Sequence, residues 1–158
     1  MESTHQRMSN SRHRIPLLLV AAALMAALFV SPRPAVAEGA LAIGLPADVA
    51  QEGVAFGYTV NFESQEKAST VALEHCRTTK DSTAAARALC KVVKTFHHQC
   101  VAIAMDPKDG TPGVGWAVAA TKPEAEKQAL NACIATAGES RRGACQVSIS
   151  VCDAPSTR

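Results

Sequence analysis

Two stretches of the chain carry the same run of small apolar and charged positions. In "SQEKASTVALEHC" (64–76), Ala68, Ala72 and Cys76 recur every four residues with Leu73 beside them; in "TKPEAEKQALNAC" (121–133) the same places are held by Ala125, Ala129, Cys133 and Leu130. A spacing of four puts such residues along one face of a helix. Glu66, Lys67 and Glu74, or Glu124, Glu126 and Lys127, then fall on the outer face. The pattern predicts amphipathic helices over roughly 64–76 and 121–136, each with an inner face small enough to lie close to a sheet. Ser64 and Thr121 stand as N-caps, and Thr121-x-x-Glu124 has the capping-box form, with Pro123 tolerated in the first turn.

The flanking segments repeat as well. "ALAIG" (40–44) and "VAIAM" (101–105) are nearly continuous apolar runs, as expected of strands covered on both faces. "GVAFGYTV" (53–60) resembles "GVGWAVAA" (113–120), with Gly57-Tyr58 over Gly115-Trp116. After each helix a cysteine opens another strand, "CKVVKTF" from Cys90 and "CQVSISVC" from Cys145; the second alternates apolar with polar, the mark of a half-buried strand. "LPADVAQEG" and "DPKDGTPG" carry the Pro and Gly of turns. The unit is strand, strand, helix, strand, written over about 39–98 and again over about 100–152. The predicted fold is a pseudo-twofold α+β domain whose two halves complete one core, since a half of ~55–60 residues buries too little surface to be comfortable alone.

Ahead of this domain stand the basic residues Arg7, Arg12 and Arg14, then the apolar run Ile15–Val30, then "SPRPAVA" ending in Ala35-Val36-Ala37. This is the layout of a secretory signal peptide over 1–37, cleaved to leave a domain over 38–158. The apolar run is shorter than the ~20 residues a spanning helix needs. A periplasmic or secreted protein with no stable membrane span after cleavage is therefore expected. The formal charge of the whole chain is +2, but the leader carries the excess: Glu38–Arg158 holds seven Lys and five Arg against thirteen acids. No basic stripe with interleaved aromatics remains, which argues against nucleic acid as a partner.

All six cysteines lie beyond the leader: Cys76, Cys90, Cys100, Cys133, Cys145 and Cys152. An even count in a small exported domain reads as a disulfide framework. The competing reading is a metal site at "HHQC" (97–100), but there is no Cys-x-x-Cys partner and the second copy carries no histidine, so no metal is expected. The doubled arrangement of "AIA", Gly before an aromatic, A-x-x-x-A-L-x-x-C, and paired cysteines resembles a family of small exported bacterial proteins classed as a domain of unknown function. The resemblance spans about 39–153 and implies export, disulfides and a tandem fold, with no catalytic residues to carry over. Six cysteines allow 15 connectivities. A bond between Cys145 and Cys152 on one strand would span about 23 Å, against the ~7 Å that a disulfide bridges. Treating both copies alike gives Cys76–Cys90 and Cys133–Cys145, with Cys100 and Cys152 left to join the halves. Other pairings remain open at this level.

Candidate chemistry is sparse. His97 or His98 could serve as a general base with Asp106 or Glu63, though adjacent histidines at a bend are commonly a solvated turn. "DPKDG" lacks the alternating acids of a calcium loop and reads as a turn. Arg141-Arg142 reads as solvated charge. Tyr58 and Trp116, at matched positions, are either core filling or a paired contact surface. No cofactor is implied. The expected role is a non-catalytic module that binds an envelope or extracellular protein, as an accessory or inhibitory factor; the alternative is an extracytoplasmic hydrolase using His97 or His98 and a nearby carboxylate.

Overall fold

The computed structural model describes residues Ala37–Asp153. The expected leader lies outside the described residues except for Ala37. Two three-stranded antiparallel sheets form the frame. The first contains β1 (Glu38–Gly44), β2 (Ala55–Phe62) and β3 (Lys91–His97) in the order β2-β1-β3. The second contains β4 (Cys100–Met105), β5 (Val114–Ala119) and β6 (Gln146–Cys152) in the order β5-β4-β6. Between β2 and β3 runs helix α2 (Gln65–Thr78), and between β5 and β6 helix α4 (Lys122–Thr136). The chain is thus an α+β fold whose halves share one order of elements.

Short helices appear where the sequence showed only connections: α1 (Val49–Glu52), α3 (Ala84–Ala88) and a 3-10 turn at Glu139–Ala144. They are too brief for a periodic pattern to show. Asp48 and Thr83 start α1 and α3 by accepting from the backbone N–H groups of Gln51 and Ala86. No described helix is long and apolar enough to cross a membrane.

Alternation along each strand sorts small from large side chains. Ala40 and Ala42 of β1, with Ala55 of β2, pack under Ala68, Ala72 and Cys76 of α2. Ala102 and Ala104 of β4, with Ala117 and Ala119 of β5, pack under Ala125, Ala129 and Cys133 of α4. The opposite faces carry the large residues: Leu41, Ile43 and Phe96 from the first sheet meet Val101 and Ile103 from the second. The layers run helix, sheet, sheet, helix, and the layer between the sheets is common to both halves. Small residues outside and large ones inside follow from distance: a helix seats on alanine and glycine, while facing sheets need aliphatic bulk to fill about 10 Å.

The helix seats are tight. A methyl at Gly57 would lie 2.1 Å from the Ala72 carbonyl oxygen, and one at Gly115 would lie 2.2 Å from the Cys133 nitrogen. Gly57 faces Ala42 across the sheet and Gly115 faces Ala104. Ala42 therefore corresponds to Ala104, so "ALAIG" and "VAIAM" are related one residue away from the alignment their apolar runs suggested.

Three disulfides are present: Cys76–Cys90, Cys133–Cys145 and Cys100–Cys152. The first two are equivalent, each tying the end of the long helix to the start of the next strand, with Cα atoms 5.9 and 6.0 Å apart. The third departs from expectation. Cys100 begins β4 and pairs directly with Cys152 on β6, so the bond lies inside the second sheet and does not join the halves. With the register set by the glycines, the matching place in the first sheet holds Glu38 opposite His97. Capping differs too. Ser64 Oγ accepts from Lys67 N at 3.3 Å, but Thr121 makes no side-chain cap. One of the two N–H groups a cap would take is missing there, because Pro123 has none.

Candidate functional site

The two ends of the sheet pair hold different chemistry. At the end where β1 begins, His97 and His98 stack with ring centroids 3.7 Å apart, and both are exposed. His97 Nδ1 lies 2.7 Å from the Ala37 carbonyl oxygen and 3.3 Å from Glu38 Oε1. Of the two carboxylates read as partners, Glu63 is at the same end of the sheet but pairs with Lys67, and Asp106 pairs with Arg141 at the far end of β4. His98 and Asn61 hold left-handed backbone, at φ 51° and 62°. Asp153, 1% exposed, accepts the N–H of Asn61 at 2.7 Å and that of His98 at 3.0 Å. The last described residue of the second half thereby pins two strained bends of the first. This carboxylate had no signature in the sequence, being 92 and 55 positions from its donors.

At the other end, where β1 and β4 run out, a cleft of about 710 Å³ opens between the halves. Its walls are the β1–β2 turn with α1, the α2–α3 connection at 79–83, and the β4–β5 turn from Asp106 to Gly113. Phe56 and Tyr58 from β2, Met105 from β4 and Ile149 from β6 line it with half-buried apolar surface. Lys80, Asp81, Lys108 and Asp109 stand exposed around it, and among the described residues none of the four is in an ion pair. Tyr58 and Trp116 both pack against the layer between the sheets, and of the two only Tyr58 lines the cleft.

The β4–β5 wall is braced by a contact that corrects the reading of Arg141 as solvated charge. Arg141 Nε and Nη2 donate to the two oxygens of Asp106 at 2.7 and 2.5 Å. Asp106 is buried, and it also accepts the Lys108 N–H at 3.0 Å and donates its own N–H to the Gly113 carbonyl. The bidentate fork on the carboxylate is what an Arg offers and a Lys does not. In the first half the equivalent junction is made by backbone contact, Gly44 lying directly under the Ala86 carbonyl of α3.

The Arg141 hydrogen bonds hold the Asp106 carboxyl down at about 2, against burial that works the other way, and the Lys108 N–H adds to the lowering. The same contact raises the guanidinium. A carboxyl lowered in the folded state stabilises the fold above its ordinary value of 3.8, and that stability fades as pH falls toward about 2. Arg141→Ala should return the Asp106 midpoint to the ordinary carboxylate range of about 3.5–4, read from side-chain carboxyl carbon shifts. An unchanged midpoint would remove the pair as its cause.

A family model described as a domain of unknown function, DUF4189, matches residues 39–152. The chain belongs to this family. The match begins in β1 and ends at Cys152, so the matched stretch of this chain holds both sheets, both long helices and all three disulfides. No curated protein and no solved structure matches the chain.

Proposed function

We propose that this DUF4189 domain is exported and works as a non-catalytic binding module, taking a segment of another protein into the cleft between its halves as an accessory or inhibitory factor. The observation that carries this reading is the composition of the cleft: an apolar floor with a half-buried tyrosine, inside a rim of two lysines and two aspartates. Tyrosine supplies contact area at low entropic cost and keeps a polar tip for orientation. A rim balanced in sign suits a polypeptide of mixed charge better than a polyanion, which would call for a surplus of cations. A cleft held between short turns, with disulfides anchoring both helices, needs little ordering when a partner arrives. Three disulfides also fit an oxidising compartment.

Photo-crosslinking tests this. A photoreactive residue at Gln51 or Lys108, on the cleft, should give a discrete adduct with another protein in the native compartment, and Tyr58→Ser should weaken it about tenfold, the effect of losing roughly 1.4 kcal/mol of contact. The same residue at Gln128, on the outer face of α4, should give none. Equal adducts from all three positions, or none from the cleft, would overturn the reading. The contact of His97 with Glu38 is the one observation favouring a hydrolase, and neither residue lines the cleft.

A further inference from the structure

We propose that the outer edge of β5 takes up an extended, acidic segment of another protein as a fourth strand of the second sheet. This surface is separate from the cleft, and it stands whether or not the cleft holds a partner.

The hydrogen-bond phase of β5 leaves that edge open. In an antiparallel pair, residues alternate between bonding to the neighbouring strand and pointing both backbone groups away from it. Two contacts fix the phase here. Asp106 N donates to the Gly113 carbonyl at 2.9 Å, so that pair bonds across the ladder. The next residue, Val114, sends its N–H outward to Thr136 Oγ1 at 2.9 Å, and its carbonyl oxygen lies 2.8 Å from the same hydroxyl. The register then runs without a shift to Ala119, so Trp116 and Val118 also point N–H and C=O outward. Thr136 covers Val114, but no described strand pairs with β5 on that side.

Sheet edges are normally blunted by charge, proline or a bulge. The pairings of β2, β3 and β6 with their central strands each shift register, and β3 adds the exposed Lys91 and Lys94. Only the β5 ladder is unshifted, and Val114–Ala119 holds neither charge nor proline. It also carries the half-buried Trp116, a residue type enriched where partners dock. Strand addition to an open edge is an established mode of peptide recognition.

The chemistry of the segment follows from β3. Phe56 and Tyr58 of β2 meet Ile149 of β6 at the cleft, so β3 and β5 share the opposite flank. Lys91 and Lys94 pair with Ile43 and Leu41, which face the other sheet, so both lysines stand on that face. Among the described residues neither is in an ion pair. A strand added to β5 turns alternate side chains toward them across about 10 Å, a gap that a lysine and a glutamate close between them. A second copy of the chain is the poorer occupant. Pairing two β5 edges would bring the lysines of both β3 strands onto one flank, where like charges repel.

The test titrates the folded, oxidised protein with a fluorescent seven-residue peptide alternating Glu and Val. It should bind with a Kd of roughly 1–100 μM and slow amide exchange at Trp116 and Val118 at least about tenfold. Val114, already held by Thr136, should not change. The matching Lys and Val peptide should bind at least about tenfold more weakly. That preference should reverse when Lys91→Glu and Lys94→Glu are combined. Val118→Pro removes an outward N–H that the ladder does not use, so the sheet should persist while the peptide is lost. Tyr58→Ser should leave binding as it is. The charge reversal decides the matter even where Val118→Pro fails to fold. Absence of protection at Trp116 and Val118, equal binding of the two peptides, or loss through Tyr58→Ser would overturn the proposal. Protection that rises with protein concentration alone would overturn it in favour of a second copy.

Discussion

Gly57→Val and Gly115→Val are each expected to leave the chain without a stable fold, and Gly57→Ala and Gly115→Ala to cost about 3 kcal/mol or more. The reason is distance, since neither glycine has positive φ. A methyl at Gly57 would meet the Ala72 carbonyl oxygen at 2.1 Å and the Cys76 nitrogen at 2.3 Å; one at Gly115 would meet the Cys133 nitrogen at 2.2 Å and the Ala129 oxygen at 2.4 Å. Those atoms are helix backbone, which cannot rotate aside as a flexible side chain could. The helix must lift from its seat, and Cys76–Cys90 or Cys133–Cys145 holds its far end down. Against a total stability of roughly 5–15 kcal/mol for a domain, such a clash is a large share. Urea unfolding of the alanine variants measures it. A midpoint within error of the unsubstituted protein would mean that the helices do not lie this close.

Leu41→Ala and Ile103→Ala should be the next most damaging changes, at about 2–5 kcal/mol each. Both side chains are fully buried in the layer between the sheets, Leu41 from the first half and Ile103 from the second. Truncating either opens a cavity that both halves line. Neighbouring cavities share walls, so the double variant should cost less or more than the sum of the singles by upwards of 0.5 kcal/mol, read by denaturant titration, whereas distant sites add within about 0.3–0.5 kcal/mol. Strict additivity would place the two residues in separate cores.

The helices and their inner faces were legible because an alanine every fourth residue is a one-dimensional record of a close helix–sheet contact. Ala68, Ala72 and Cys76, and Ala125, Ala129 and Cys133, are the residues the two long helices bury. The strands were legible as apolar runs, but runs of similar residues say nothing about register. That is why the apolar runs alone align "ALAIG" and "VAIAM" one position off, and why they do not show that Cys100 closes its own sheet. The clue lay in the order of small and large residues: Ala102 and Ala104 sit under a helix, and Val101 and Ile103 face the other sheet. The cleft was illegible, since its walls are three turns distant in sequence. Arg141 and Asp153 belong to the same class. Each acts on groups 35 or more positions away, in loops where a charge gives no periodic signal.

That the two halves close on one another as a single unit underlies both the cleft and the cooperative cost of every substitution above. Scanning calorimetry of Gly57→Ala, altered only in the first half, and Gly115→Ala, altered only in the second, tests it most directly. Each variant should show one transition, lowered as a whole, with calorimetric and van't Hoff enthalpies equal. Two resolved transitions, with each substitution moving only one of them, would mean that the halves melt independently and that no common layer between the sheets holds them together.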